Sequence, residues 1–281
     1  MEALLDTCIQ VPSALERNAD DVVARVLSHE WVNSEYKHLI LDAPDPAPRS
    51  LAGQFFNIEC PSTESDKPFF RRPMSTYKAD PQSGTVEFLY KVTGAGTRGL
   101  ATLVTGQDVR ILGPLGIGFR LAEDWRNIVV LGRGVGLATL APLAETAASR
   151  GVTVTAVLSA RNPARVMSVE RFRDSGAQVE VVLDSDGTSA PANVEAMLRR
   201  LAEDGRADAF FTCGSNRLML LMQRLGRELG IPGQVAMEQQ MACGLGMCFC
   251  CVRTFKSGNA TVSRRVCWEG PVFDLQEPLS W

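Results

Sequence analysis

Short stretches of alternating polar and apolar residues fill the first part of the chain, separated by turn-forming residues. In the stretch VEFLYKV the apolar positions share one face of an extended chain: Val86, Phe88, Tyr90 and Val92. Connections rich in Pro, Gly, Asp and Ser occur at residues 43–54 and 78–85. Strands at this spacing predict an antiparallel β-barrel for residues 21–122.

Near Trp125 the pattern changes to apolar runs that alternate with helical patterns. The first run, NIVVLGRGVG, leads into a helical stretch, and strand and helix then alternate four times. This order predicts an α/β domain with a parallel sheet over residues 123–231. Residues 232–281 break the pattern and are predicted to form a small cysteine-rich segment. Residues 1–20 show no period and are predicted to be an N-terminal extension.

Composition narrows the class of protein. The 281 residues are 45% hydrophobic and 22% charged, which suits about two domains with a real core. A formal charge of −3 argues against nucleic acid as the main partner. The acidic start and the lack of an apolar run of roughly 20 residues predict neither a signal peptide nor a membrane span. We therefore predict a cytoplasmic protein, in which disulfides are disfavoured.

The stretch MACGLGMCFCC holds four of the eight cysteines. Cys243, Cys248 and Cys251 form C-x4-C-x2-C, and Cys267 follows at a distance, which is the spacing of plant-type two-iron clusters. A zinc site, which more often pairs two short-spaced knuckles, and a redox dithiol are the alternatives. The spacing favours Cys251 as the third ligand and leaves its neighbour Cys250 outside the set.

Three glycines, Gly132, Gly134 and Gly136, stand between an apolar run and a helical pattern. Nucleotide phosphates can meet free N–H groups at such a turn, although the spacing is not the full G-x-G-x-x-G fingerprint. A tight turn without a ligand is the alternative. The next run ends at Arg161, interpreted as a contact for an adenosine ribose or its phosphate, or else as a solvated loop cation. The stretch TCGSNRLM also follows a strand, where ligands of open α/β sheets bind.

Within the barrel region, FFRRPMS places two arginines before a proline, as in an extended loop that holds a guanidinium against an anion. The stretch GAGTRG supplies Gly94, Gly96 and Thr97, a flexible backbone that can approach a phosphate. LGPLGIGF adds three more glycines. Together these loops predict a large, flat, phosphorylated ligand.

Over about residues 20–230, the chain resembles the ferredoxin–NADP reductase superfamily. The resemblance lies in the motifs and their order: RRPMS, YKVTGAGT, LGPLG, GRGVGLATLAPL and TCGSNRLM. With EQQMACGLGMCFCC and RVCWEGPVFD, the closer resemblance is to the electron-transfer subunits of dihydroorotate dehydrogenase B. The resemblance implies an FAD-binding barrel at 21–122, a pyridine-nucleotide domain at 123–231 and a [2Fe-2S] segment at 232–281.

The resemblance also implies site residues. FAD is expected at two motifs and a turn: Arg72, Pro73, Met74 and Ser75; Leu89, Tyr90 and Lys91; Gly96 and Thr97. NADH, with NADPH as the alternative, is expected at Gly132, Gly134, Gly136 and Arg161. The implied cluster ligands are Cys243, Cys248, Cys251 and Cys267. Ser75 is expected near the flavin and Cys213 near the nicotinamide, as candidate catalytic residues. The chain departs from the family at Arg133, which interrupts the glycine loop, and at Cys250, where relatives often carry a small residue.

These implications give a functional hypothesis. Hydride passes from NADH to FAD, and single electrons then pass through the cluster to a partner dehydrogenase subunit. The flavin is needed because it exchanges electrons with both two-electron and one-electron carriers. Electron flow in the reverse direction, from the partner to NAD⁺, is equally compatible with the sequence. A reductase component serving an oxygenase or demethylase is the alternative. A third, non-enzymatic hypothesis is a regulatory module that senses redox state.

Overall fold

The computed structural model describes residues 18–280. Most of the predicted extension, residues 1–17, therefore lies outside the described residues. The described strands form a seven-stranded sheet, a six-stranded sheet and a two-stranded hairpin. Within residues 18–280, no helix combines the length and the apolar character that crossing a membrane requires. The cytoplasmic location stays a prediction.

The first sheet is antiparallel throughout, and it confirms the predicted barrel. Its strands are β1 (Asp20–Trp31), β2 (Tyr36–Asp42), β3 (Phe55–Ile58), β4 (Arg72–Ser75), β5 (Lys78–Asp80), β6 (Thr85–Lys91) and β7 (Asp108–Leu115). They lie in the order β4-β3-β7-β1-β2-β6-β5, and β4 also contacts β6, so the sheet curls. Val86, Phe88 and Tyr90 share the barrel core, as the alternation predicts. Helix α1 (Ala95–Leu100) connects β6 to β7.

The second sheet confirms the predicted parallel α/β domain. Its parallel strands are β8 (Asn127–Arg133), β9 (Thr153–Ala160), β10 (Gln178–Leu183), β11 (Ala209–Cys213) and β12 (Gly233–Ala236), in the order β10-β9-β8-β11-β12. Its helices are α2 (Gly136–Ser149), α3 (Val169–Asp174), α4 (Pro191–Glu203) and α5 (Asn216–Leu229). Val129 and Leu131 pack in the core beneath α4 and α5, whereas Ile128 and Val130 pack beneath α2. Burial on both faces explains why this strand is a continuous apolar run.

The cysteine-rich segment continues the second sheet instead of standing apart from it. It contains the hairpin β13 (Val252–Ser257) and β14 (Ala260–Arg265), helix α6 (Val266–Glu269) and strand β15 (Val272–Asp274). Strand β15 pairs antiparallel with β12, so both ends of the segment belong to the nucleotide-domain sheet. Phe255 and Phe273 stack at 4.3 Å between ring centroids and join the core beneath α5. The predicted boundaries at 122 and 231 stay predictions.

Candidate functional site

A cleft of about 260 Å³ lies where the carboxyl ends of β8 and β9 face the barrel strands β2 and β6. Strand order reverses between β8 and β11, and open α/β sheets bind ligands at such a switch point. Four cations and two carboxylates line the cleft: Lys91, Arg133, Arg161, Arg165, Glu35 and Glu238. The lining is therefore net positive, which suits an anionic ligand.

One carboxylate ties the two domains together at this cleft. Glu35 Oε2 lies 3.0 Å from Lys91 Nζ, and its Oε1 lies 3.0 Å from Arg165 Nη2. The hydrogen bond from Lys91, together with the charges of Arg165 and Arg161, lowers the pKa of Glu35. Glu35 and Lys91 belong to the barrel and Arg165 follows β9, so the pair fixes one domain against the other.

The three glycines of the strand-to-helix turn have different surroundings. Gly134 lines the cleft, in the left-handed region with φ of 57°. Gly132 packs against the side chain of Leu137. At Gly136, a Cβ would lie 2.4 Å from the carbonyl oxygen of Cys213. Close packing of α2 against β11 therefore explains Gly136, and only Gly134 of the three borders the cleft.

Arg133, at the end of β8, reaches across the end of β9. Its Nη1 donates to Ser159 Oγ at 2.9 Å and to Asp184 Oδ1 at 3.1 Å, and its Nη2 donates to Asp184 Oδ2 at 2.5 Å. Asp184 directly follows β10. The hydrogen bond from Arg133, and then one from Ser189, lowers the pKa of Asp184 to about 2, so the pair stays ionised at neutral pH.

Cys213 ends β11 and is buried. Burial, and then the charge of Glu238, raises the pKa of Cys213, so this thiol is neutral at physiological pH. Glu238 follows β12 and lines the cleft. The residue as a whole is exposed, but desolvation of its carboxylate by surrounding protein atoms raises the pKa of Glu238. The sequence interpretation missed Glu238. The pattern gave no signal for it, because the predicted α/β domain ended at residue 231, before the strand β12 that precedes Glu238.

The predicted flavin residues Arg72 to Ser75 form β4 and are all partly buried. The side chain of Arg72 packs against Gly96, where a Cβ would lie 2.5 Å from Arg72 Nε. The structure thus brings the predicted guanidinium to the predicted Gly96–Thr97 turn. The adjacent Arg71 has a different role, because it pairs with Asp21 at 2.9 Å.

The motif Leu89–Tyr90–Lys91 divides between two faces of β6. Lys91 lines the cleft, and Leu89 packs in the core shared with the nucleotide domain. The side chain of Tyr90 points into the barrel, where its Oη hydrogen-bonds with His29 Nε2 at 2.8 Å. The structure therefore does not bring the side chain of Tyr90 to the cleft.

The four predicted cluster cysteines form two pairs. The sulfurs of Cys251 and Cys267 are buried and 3.1 Å apart. Cys243 and Cys248 form the other pair, closer to the surface, and Cys248 helps to lower the pKa of the Cys243 thiol. In the part of the chain that the structure describes, no three Cys, His, Asp or Glu side chains are grouped so that they could hold one metal ion. Two thiol pairs fit a two-iron cluster better than a mononuclear zinc site, which needs four ligands around one point.

The backbone around Cys243 favours its thiolate. Burial alone would raise the pKa of Cys243, but hydrogen bonds from backbone groups of the loop, including Cys248 and Leu245, outweigh it and lower the pKa to about 7. The N–H of Leu245 lies 3.3 Å from the sulfur. Gly244 and Gly246, with φ of 71° and 75°, provide the left-handed backbone of this loop. Since metals bind thiolates, these donors suit a ligand cysteine.

Cys250 is exposed, and its sulfur faces the carbonyl oxygen of Gln240 at 3.9 Å. Cys251, by contrast, is buried against Cys267. Cys250 is therefore oriented differently from the four paired cysteines, and the choice of Cys251 as ligand stays a prediction.

Two solved structures share the fold of this chain. One, described as an NADH-dependent reduced ferredoxin–NADP oxidoreductase, covers 92% of this chain and 90% of its own length, with a TM-score of 0.78 and 24% identity. The ferredoxin reductase in carbazole 1,9a-dioxygenase covers 76% of this chain and 64% of its own, with a TM-score of 0.59 and 21% identity. The chain thus has a ferredoxin reductase-like fold, with a C-terminal segment that carries paired cysteines.

Sequence relatives identify the family within this class. Residues 238–277 match the family described as the iron-sulfur cluster binding domain of dihydroorotate dehydrogenase B. The dihydroorotate dehydrogenase B (NAD(+)) electron transfer subunit of Desulforamulus reducens is 30% identical, over 89% of this chain and 95% of the relative. The subunit of the same name from Shouchella clausii is 32% identical, over 85% of this chain and 90% of the relative. The chain belongs to the family of dihydroorotate dehydrogenase B electron transfer subunits, which confirms the resemblance found in the sequence.

Proposed function

We propose that this chain passes electrons between a pyridine nucleotide and a partner dehydrogenase subunit, and that it holds FAD and a [2Fe-2S] cluster for this purpose. The observation that carries the proposal is the presence, in one chain of this family, of a positively lined strand-end cleft and a loop with two thiol pairs. The relatives are named for NAD(+), which supports NAD(H) as the nucleotide.

The residues present fit both groups. Arg72 and the Gly96–Thr97 turn would hold the phosphates of FAD, and β4 would border its ring. The pairs Cys243–Cys248 and Cys251–Cys267 would each hold one iron. When bound, the flavin supplies the exchange between two-electron and one-electron chemistry, and the cluster supplies one-electron transfer.

The residues of the cleft have separate tasks. Arg161 attracts the phosphates of the nucleotide, and Lys91 and Arg165, which pair with Glu35, add to the positive potential of the cleft. The neutral thiol of Cys213 lies beneath the switch point, and its protonated state leaves the cleft floor without an added negative charge. Glu238 is the carboxylate placed to accept a hydrogen bond from a bound amide or hydroxyl group.

An apolar patch on the loop of residues 241–251, called the cluster loop, is the proposed contact with the partner subunit. Leu245, Met247 and Phe249 are 36%, 77% and 62% exposed, and they flank the exposed Cys248. Three large apolar side chains on one loop form the type of surface that interfaces cover. An electron leaving through the Cys243–Cys248 pair would cross this patch.

A dehydrogenase subunit is favoured over an oxygenase as the partner. The similarity to the reductase of a dioxygenase lies below 25% identity and shows the fold alone. The family match and the relatives at 30% and 32% identity concern dihydroorotate dehydrogenase B.

The test is a reconstitution with the dihydroorotate dehydrogenase catalytic subunit encoded in the same genome. We expect the two chains to co-purify, and the complex to reduce NAD⁺ at the expense of dihydroorotate, whereas the catalytic subunit alone does not. Met247→Asp should weaken co-purification, and Val104→Asp, an exposed position on the barrel, is the matched control. A complex that forms but never exchanges electrons between dihydroorotate and a pyridine nucleotide would refute the proposal.

A further inference from the structure

Arg133 occupies the turn between β8 and α2, at the position between two glycines. Its guanidinium is held by three hydrogen bonds to Ser159 and Asp184, at the ends of the next two strands of the sheet. The side chains of Arg133 and Asp184 are 26% and 39% exposed. The arginine therefore has a fixed position and remains accessible from the cleft that it lines.

Stability alone does not account for this arrangement. The pair is bidentate and stabilises the ends of these strands, although its partial exposure to solvent limits that contribution. The long side chain also stands at a turn where phosphates approach the helix N-terminus of a nucleotide domain, and α2 runs for 14 residues behind it. A fixed cation at this position is therefore placed to meet an anionic ligand as well as to stabilise the ends of the strands.

The guanidinium keeps donors for a ligand. Arginine has five N–H donors, and Ser159 and Asp184 occupy two on Nη1 and one on Nη2. The Nε–H and the second Nη2–H are not used by these three bonds. Since the side chain is already held in place, a ligand that accepts from these donors does not have to order it, which favours binding.

We propose that Arg133 is a nucleotide-recognition residue that binds a phosphate of the adenosine half of the pyridine nucleotide, with Asp184 and Ser159 as the residues that position it. This inference rests on the proposed function, because it requires that a pyridine nucleotide binds in the cleft. The position of Arg133 in the sheet supports the adenosine half. Arg133 pairs with Ser159 on β9, the strand that leads to Arg161, the predicted adenosine contact, and lies on the side of β8 away from the β8–β11 switch point. Two phosphates share this chemistry: the diphosphate of both NADH and NADPH, and the 2′-phosphate of NADPH alone.

The test measures direct binding to the cofactor-loaded protein. ADP-ribose carries the diphosphate alone, and 2′-phospho-ADP-ribose adds the second phosphate, so calorimetric titration with both probes separates the two sources. Loss of one charge-assisted contact should weaken binding about 10- to 100-fold in Arg133→Ala. Arg173→Ala removes a comparable exposed ion pair with Glu170 on α3, outside the cleft, and is the matched control, with no change expected.

Asp184→Asn tests the positioning role. The variant keeps the charge of Arg133 but removes the carboxylate that fixes it in place. It should therefore weaken the binding of whichever probe Arg133→Ala affects, by a smaller factor of about 3- to 10-fold. Asp184→Glu restores a carboxylate and should recover part of the loss. A merely structural role for Asp184 would instead lower the melting temperature and leave the affinity of the folded protein unchanged.

Each outcome decides the inference. Weaker binding of both probes in Arg133→Ala assigns the diphosphate, and weaker binding of 2′-phospho-ADP-ribose alone assigns the 2′-phosphate. Unchanged affinity for both probes overturns the inference and leaves the proposed function intact. Wild-type protein that carries its cofactors but binds neither the probes nor NADH refutes the proposed function itself.

Discussion

At the scale of single residues, the surroundings of Glu238 and Cys213 decide their protonation. Both lie at the carboxyl end of the nucleotide sheet, and both have raised pKa values because protein atoms desolvate them. Glu238 adds its charge to the neighbourhood of Cys213 and raises the pKa of that thiol further. The carboxyl end of this sheet therefore holds one neutral buried thiol, and beside it one carboxylate that is costly to ionise.

Replacing Glu238 by Gln should stabilise the protein in a pH-dependent way. The pKa of Glu238 in the folded protein lies above its ordinary value of 4.5, so the folded state binds the proton more tightly. Its contribution to stability is then present below pH 4.5 and is lost as pH rises through the folded pKa. The wild type and Glu238→Gln should therefore have the same melting temperature near pH 4, and the variant should have the higher melting temperature at pH 7.5. A difference that does not change with pH would contradict this assignment.

The adjacent cysteines 250 and 251 should respond oppositely to substitution. Cys251→Ser removes a buried thiol in contact with Cys267, and we expect the protein to lose most of its iron. Cys250→Ser alters an exposed thiol that faces Gln240, and we expect iron content within about 10% of wild type, since this thiol belongs to neither pair. Iron and acid-labile sulfide analysis of anaerobically purified variants checks both. Loss of iron in Cys250→Ser with retention in Cys251→Ser would reverse the ligand assignment.

At the scale of elements, the cluster loop is supported by the flavin-domain sheet. Asn57 on β3 is buried, and its Nδ2 donates to the carbonyl oxygen of Ala242 at 3.4 Å. Gly244 lies so close that a Cβ there would stand 2.6 Å from the same Nδ2. Asn57 therefore contacts the loop on both sides of Cys243, and β3 also pairs with β4, the predicted flavin strand.

Gly244→Ala should loosen the cluster loop. The substitution combines a left-handed φ of 71° with a clash against Asn57, so the loop must move away from β3. We expect the half-life of the visible iron–sulfur absorption in air to fall several-fold.

Gly258→Ala is the control for the backbone effect alone. Gly258 has a similar φ of 59° in the β13–β14 turn, and a Cβ there would contact nothing within 4 Å. Equal bleaching rates in the two variants would show that contact with β3 does not support the loop.

Local patterns predicted the elements better than they predicted the contacts between them. The alternation along β6 predicted that Tyr90 faces inward with Val86 and Phe88, and the structure confirms it. The family motif nevertheless grouped Tyr90 with Leu89 and Lys91 as one flavin contact. A motif records residues that are adjacent in sequence, whereas a strand sends neighbouring side chains to opposite faces, so Tyr90 faces away from Leu89 and Lys91. Its predicted contact with the flavin stays a prediction.

At the scale of the whole molecule, the features that the sequence did not predict depend on long-range pairing. Arg133 ends β8 and Asp184 follows β10, so the two meet only when β8, β9 and β10 align in register. Strand β15 joins β12 across the whole cysteine loop and hairpin, with no local signal for that partner. The order of the domains and the spacing of the cysteines, by contrast, could be read directly, because each depends on neighbouring residues.

The domains meet where the proposed electron path requires them to meet. The Glu35–Arg165 pair joins the barrel to the α/β domain beside the cleft, and the Asn57 contact joins the barrel to the cysteine loop. The cleft, the predicted flavin strand and the thiol pairs are thus parts of one packed structure, and the barrel contacts both of its neighbours.

The most direct test of this central claim is the visible spectrum of anaerobically purified protein, recorded before and after addition of NADH. We expect flavin and iron–sulfur absorption in the oxidised protein, and NADH should bleach both. Protein that binds zinc and shows neither chromophore, or chromophores that neither NADH nor NADPH bleaches, would contradict the claim that this chain connects a pyridine nucleotide to a one-electron partner.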